Sequence, residues 1–238
     1  MLVFGKRNLK ELVRDPLSYI FCLGFPIVML LIFTVINDSI QSEAKPDIFR
    51  IDRMSGGIAV FGLTFVMLFS ALLLSQDRTT AFLTRLYASP MKAWEFIGGY
   101  YLPILLLSVS QAVITFGASF IIAAGENISM SIGRAFLAIL CLIPTAVMFT
   151  GFGLLFGCLF GTNAAPGLCS VIISAAGILG GVWLDVDALD GGFRNVCLAL
   201  PFYHSVRAVQ SVMTGNSDNF AADMLLSLIH ISEPTRLD

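Results

Sequence analysis

Long apolar runs alternate with short polar segments along most of this chain. A basic amphipathic stretch comes first: Leu2, Val3, Phe4, Leu9, Leu12 and Val13 recur at helical spacing, and Lys6, Arg7, Lys10 and Arg14 fill the other positions. That pattern predicts a helix lying in a membrane interface over residues 1–16, broken at Asp15-Pro16 because the residue before a proline avoids the α region. Leu17 to Ile36 then carries no charge; about 20 residues at about 1.5 Å each reach the roughly 30 Å of a bilayer's hydrocarbon, and Pro26 inside the run is expected to kink it. After a mixed-charge connector, Asn37 to Gly57, further spans are expected at about Ile58–Ser75, Ile97–Ala124, Arg134–Phe160 and Ala165–Leu184. Only Gly161 to Ala164 separates the last two, so they must form an antiparallel hairpin. Asp185 to Asn219 is polar, with a short amphipathic piece at Pro201–Met213. Tyr100, Tyr101, Trp94, Trp183 and His204 fall at run ends, where interface belts collect such residues. The expected fold is therefore all-α: a polytopic helical membrane bundle of five complete transmembrane helices plus the amino-terminal interfacial helix.

Composition agrees with the pattern. Of 238 residues, 57% are hydrophobic and only 13% charged, and mean hydropathy is +0.86. A soluble domain carries about 25% charged residues, so the apolar excess here must face lipid. A net charge of −2 supplies no basic field for nucleic acid. Five cysteines without a C-x-x-C pair read as buried thiols, and no cleavable signal peptide is evident. None of the five runs holds a central Asp, Glu, Lys, Arg or His. A central charge costs about 2.5–3.5 kcal/mol to insert and is kept for function, so its absence argues against proton- or sodium-coupled transport. No paired carboxylates or H-E-x-x-H point to membrane-embedded hydrolysis. An amphiphilic or apolar cargo follows as the expectation.

The amino tail holds four cations and the polar segment Gln76–Glu95 holds Arg78, Arg85 and Lys92; Lys45, Arg50, Arg53, Arg134, Arg194 and Arg207 fall on the opposite side. The dense amino-terminal cluster and the acidity of the opposite loops place the amino end and segment 76–95 inside. Within that segment, Phe82, Leu83, Leu86 and Tyr87 form one helical face and Thr79, Thr80, Thr84 and Arg85 lie largely on another. The spacing predicts a helix of about ten residues, with Asp77 or Thr79 as its cap and Ser89-Pro90 as its stop.

Three strings carry a family resemblance. Arg85 to Pro103, RLYASPMKAWEFIGGYYLP, resembles the coupling segment of ABC-2-type exporter permeases, with its R-L-x-x-[ST]-P-x-x-x-W-E pattern. Lys6 to Phe33 is similar to that family's elbow helix and first span, and Leu200 to Gly215 to a segment before its sixth span. Members often carry Gly-Thr and a glutamate early in the coupling helix, where this chain has Ala81-Phe82 and Thr84. The resemblance implies a transmembrane domain over residues 1–225, with an elbow helix at 1–16 and a coupling segment at 76–95. It also implies a multi-pass protein of the cell membrane with a cytoplasmic amino terminus, a second permease half (identical or a sister), and a separate ABC ATPase subunit that binds the ATP. No G-x-x-x-x-G-K-[ST] occurs in the chain, so no catalysis and no cofactor of its own are expected. The expected ATPase contacts are Arg78, Phe82, Arg85, Leu86, Tyr87, Ser89 and Pro90. A membrane scaffold without transport activity and an ATP-independent channel or carrier stay open as alternatives.

Gly153, Gly157 and Gly161 lie four apart, the small-residue spacing that permits close helix crossing. Asp185, Asp187 and Asp190 lack EF-hand spacing and read as a solvated loop. Asn219 to Leu225 begins a sixth span that stops, and Leu226 to Arg236, LSLIHISEPTR, resembles the translation of a transposase adaptor used in preparing sequencing libraries. Residues 226–238 are expected to be read-through behind a truncated sixth helix.

Overall fold

The computed structural model describes residues 2–40, 49–184, 186 and 191–215, without the side chains of Leu2, Ala81 and Tyr87. The aspartates at 185, 187 and 190, the start of a sixth span at 219–225 and residues 226–238 lie outside the described residues.

Every regular element among the described residues is helical. The interfacial helix is α1 (Leu2–Arg14). Asp15 caps the next turn, its carboxylate accepting from the Leu17 N–H at 3.1 Å and the Ser18 hydroxyl at 2.7 Å. The first span then runs from Pro16 to Ser39 as α2 (Pro16–Tyr19), a π-helical turn (Ile20–Gly24) and α3 (Phe25–Ser39). Pro26 explains the turn: it has no N–H to donate, and its ring crowds the carbonyl four residues back. The wider turn relieves that crowding, and the Phe25 N–H bonds to Ile20 O instead.

The bundle is built around α4 (Ile51–Thr79). In the most apolar 18 residues of α4, 89% are buried, against 17% in the same stretch of the first span; α4 is the central rod and the first span is peripheral. Small residues let neighbours approach α4 closely. The amide of Gln111 occupies the space where a Cβ on Gly62 would stand and donates to Ala59 O at 3.3 Å. Packed round α4 are α6 (Ala93–Gly125), α7 (Ile132–Leu159), α8 (Ala165–Leu179) and α10 (Pro201–Thr214). The seven-residue α5 (Ala81–Tyr87) joins α4 to α6, and α9 (Gly192–Leu198) precedes α10.

Among the described residues, four helices are long and apolar enough to cross a membrane. The expected fifth is shorter than its apolar run: α8 has 15 residues, about 22 Å at the usual rise, and stops at Gly180 and Gly181. Gly181 has a φ of +70°, with the Tyr203 ring packed against the place a Cβ would fill, so only glycine turns the chain there without strain. The turn sends Trp183 back into the bundle, stacked on Phe33 at 4.8 Å and edge-on to Phe61 at 5.2 Å. It packs between helices instead of joining an interface belt, unlike Trp94, which is exposed.

The amphipathic piece expected near residue 201 is wedged against the first turns of α4. A Cβ on Gly56 would sit 3.2 Å from the Gln210 backbone nitrogen. His204 is buried, with Nε2 at 2.9 Å from the Leu198 carbonyl at the end of α9; it serves a helix terminus, not a belt. Arg134, from the start of α7, donates to Thr214 O at 3.2 Å and so caps α10. These contacts lie at the end of α4 opposite α5.

Candidate coupling site

The polar segment is shaped by the break between α4 and α5. Thr80 leaves the helical region (φ −98°, ψ 158°), which turns the chain across the bundle end. It is also the cap: its hydroxyl accepts from the Phe82 N–H at 3.4 Å and donates to Asp77 O at 3.0 Å. Neither Asp77 nor Thr79 caps α5, which is one turn shorter than its sequence pattern predicts. At the other end the Ser89 hydroxyl donates to Leu86 O at 2.6 Å, Pro90 follows, and Glu95 accepts from the Lys92 N–H at 3.1 Å to start α6.

Asp77 continues the buried face of α4, three and four residues beyond Leu74 and Leu73, and its side chain is only 5% exposed. Its carboxylate accepts both prongs of the Arg7 guanidinium, Nη1 and Nη2 each at 2.7 Å, and the Tyr100 hydroxyl at 2.7 Å. A carboxylate taken out of water is costly unless paired and fully hydrogen-bonded, and these three donors meet that requirement. Arg7 also donates to Glu11 at 2.6 Å and to Asn8 Oδ1 at 3.0 Å, and its guanidinium lies 3.9 Å from the Phe82 ring centroid. The bond to Asp77 holds the guanidinium charged, above its ordinary value. Partial burial pushes the Glu11 carboxyl up, Arg7 pulls it down and the nearby Asp77 charge adds to the rise; the net effect is upward.

An aromatic cluster surrounds this joint. The Phe4 ring sits edge-on to Tyr100 at 5.0 Å, stacks near Phe96 at 6.2 Å and lies 5.9 Å from Phe82. It occupies the position a Cβ on Gly99 would need, and Asn8 Nδ2 donates to the Gly99 carbonyl at 3.0 Å. Elbow helix α1 is thus docked onto α6 by Phe4 and Asn8; Leu12 is buried on the same face, while Val3 and Val13 are exposed.

The residues expected to meet an ATPase divide into three groups. Phe82, Leu86, Ser89 and Pro90 line one side of a cleft of about 470 Å³ whose other side is Val3, Phe4 and Arg7. Thr84 and Arg85 are exposed on α5, and Tyr87 ends that helix, its side chain outside the described part. Arg78 is engaged within the chain. Its guanidinium donates to the carbonyls of Gly157 (3.0 Å), Cys158 and Phe160 (3.4 Å), neutralising the unpaired carbonyls and negative dipole end of α7. Gly153 and Gly157 face α4, at Met67 and Ser70 and at Ala71 and Leu74 respectively. Gly161 lies past the helix with open space round it; its carbonyl accepts from the Ala164 and Ala165 N–H groups at 3.0 Å and closes the turn into α8.

Periodicity alone pointed at the lining of α5 and missed the Arg7–Asp77–Tyr100 joint. One signal for it exists: Asp77 falls on the buried stripe of a long apolar helix, where an ionised group requires a partner. Nothing in the sequence says that the partner lies 70 positions upstream.

No curated protein and no solved structure matches the chain. The sequence pattern of ABC-2 type transporters matches residues 1–214 of the 238, spanning the elbow helix, α5 with its joint, and α10. The chain therefore belongs to the ABC-2 type transporter family.

Proposed function

We propose that this permease component of an ABC transporter, embedded in a membrane by several span-length helices, is the transmembrane half of an ATP-driven exporter, working with a second permease half and a separate ATPase subunit that presses on α5 from the cytoplasm. The observation that carries this reading is α5 itself. It is a seven-residue helix strung between two span-length helices, α4 and α6, with Leu83 buried in the bundle and Thr84 and Arg85 facing out. A force on its outer face reaches α4 across the single extended residue Thr80 and α6 across the short turn at 88–92.

The proposed cargo is amphiphilic or apolar, of the drug, lipid or glycolipid class. In support, the middles of the spans carry no Asp, Glu, Lys, Arg or His, and an apolar cleft of about 360 Å³ opens between α6 and α7, lined among others by Leu63, Leu105, Ala112, Leu142 and Ala146. Transport of a highly charged substrate by the reconstituted complex would overturn this part.

Arg85→Glu and Leu86→Asp test the role of α5. Export per ATP hydrolysed should fall about tenfold or more, in the range of ordinary coupling energies, with the permease still inserted at normal levels. Unchanged export in both variants removes α5 from the mechanism. A pull-down adds the other arm: co-purification of a P-loop subunit supports the exporter, and its consistent absence favours a scaffold.

A further inference from the structure

We propose that Arg7, Asp77 and Tyr100 form a rigid joint that makes the elbow helix, the end of α4, the start of α6 and, through Phe82, helix α5 move as one body. Asp77 is its positioning residue. The consequence for transport rests on the reading of α5 as the driven element; the rigidity does not.

The joint gathers three elements at one carboxylate and a fourth at the guanidinium bound to it. Arg7 comes from α1, Asp77 from α4, Tyr100 from α6, and the Phe82 ring of α5 lies 3.9 Å below the guanidinium. Apolar contacts alone let helices slide past one another, because dispersion and burial have little directionality. A bidentate guanidinium–carboxylate pair fixes both distance and angle, and Asp77 is sealed from water that would otherwise exchange with it. Neighbouring groups remove the remaining freedom. Glu11 and Asn8 hold the guanidinium from its own helix, and Asn8 Nδ2 ties α1 a second time, to the Gly99 carbonyl of α6. Phe4 then locks into the space left by Gly99. An ordinary interfacial helix shows its cations to lipid headgroups; here Arg7 is turned inward while Lys6 and Lys10 stay exposed. A displacement of α5 is therefore carried to α1 and to the foot of both spans together, not to a loop alone.

The test uses the full chain in nanodiscs, with Cys158→Ser to remove the exposed thiol and spin labels on Lys10→Cys in α1 and Thr84→Cys in α5. The parent should give one narrow inter-label distance distribution. Asp77→Asn and Arg7→Gln should each broaden it about twofold or more, and the double variant should be no broader than either single, because both remove the same interaction. An unchanged width in both singles, or additive broadening in the double, overturns the joint. If Asp77→Asn does not accumulate in the membrane, Tyr100→Phe removes one hydroxyl only and should broaden the distribution partially; no change there overturns the three-way joint. With the ATPase subunit present, Asp77→Asn and Arg7→Gln should lower export per ATP several-fold. Broadened distances with unchanged export per ATP overturn the transmission role. If Leu86→Asp also leaves export unchanged, it is the reading of α5 that fails, and the joint stands on the distances alone.

Discussion

An aspartate near the end of a lipid-spanning helix takes its meaning from what it meets. Asp77 on its own would be an expensive buried charge; with Arg7 and Tyr100 it is an anchor. Glu11 shows the other side of the same electrostatics. It shares Arg7, yet its carboxyl is held above the ordinary 4.5, first by burial and also by the Asp77 charge. Between 4.5 and that raised value the folded chain binds more protons than the unfolded one, so stability rises as pH falls through this window and is lower at neutral pH. Glu11→Gln should therefore leave the thermal midpoint at about pH 7 unchanged or slightly raised, and should remove part of the gain expected on acidification toward the ordinary 4.5. Thermal unfolding of purified protein in detergent at both pH values checks this; a marked loss at neutral pH would show that Glu11 is needed for the Arg7 geometry. None of this was legible from spacing. Arg7 reads as one of four interfacial cations and Tyr100 as a belt residue until the two helices carrying them are brought together.

At the scale of elements, periodicity located the helices and missed where some of them stop. The boundaries of α6 and α7 follow their apolar runs closely, because polar turns bracket them. The run beginning at Ala165 continues to Leu184 in hydropathy, but the helix ends at Leu179, since Gly180 and Gly181 release the chain and aromatic partners draw Trp183 inward. The glycines spaced four apart also look equivalent in sequence and are not equivalent in space. A Cβ on Gly157 would come within 2.7 Å of the Ala71 carbonyl oxygen, a backbone atom that cannot step aside, whereas Gly161 has nothing within 4 Å. Gly157→Ala should destabilise the α4–α7 crossing by about 1–3 kcal/mol, outweighing a helix-propensity gain of about 1 kcal/mol. Gly161→Ala should stay within about 0.5 kcal/mol of the parent. Chemical unfolding in micelles separates the two, and equal effects would mean that the close crossing is not a constraint.

At the scale of the whole molecule, α4 is the axis and its two ends do different work. One end receives α10, through Gly56, Gly57 and Gln210; the other carries α5, Asp77 and Arg78. Because α6 returns across the bundle from α5, the Asn127 turn between α6 and α7 lies at the opposite end. Single cysteines in a Cys158→Ser background should therefore label from opposite sides: Arg85→Cys only after the membrane is opened, Asn127→Cys on intact cells. Labelling of Arg85→Cys from the exterior would invert the proposed orientation and detach α5 from any cytoplasmic engine.

The sequence by itself determined the solvent and the secondary structure. Span-length runs with half the usual charge leave no soluble solution, and backbone groups in hydrocarbon must pair within helices. Family membership was legible in the same way, because the interfacial helix, the R-L-x-x-[ST]-P string and the segment before residue 215 are local patterns in a fixed order. Only the tertiary structure decided which helix is central, that the exposed Arg78 also caps α7, and that Arg7 and Asp77 meet. Those outcomes depend on contacts between residues some 70 to 80 positions apart. Hydrophobic periodicity says which face of a helix is buried, but not against what, and the partner is what turns a buried charge into a joint.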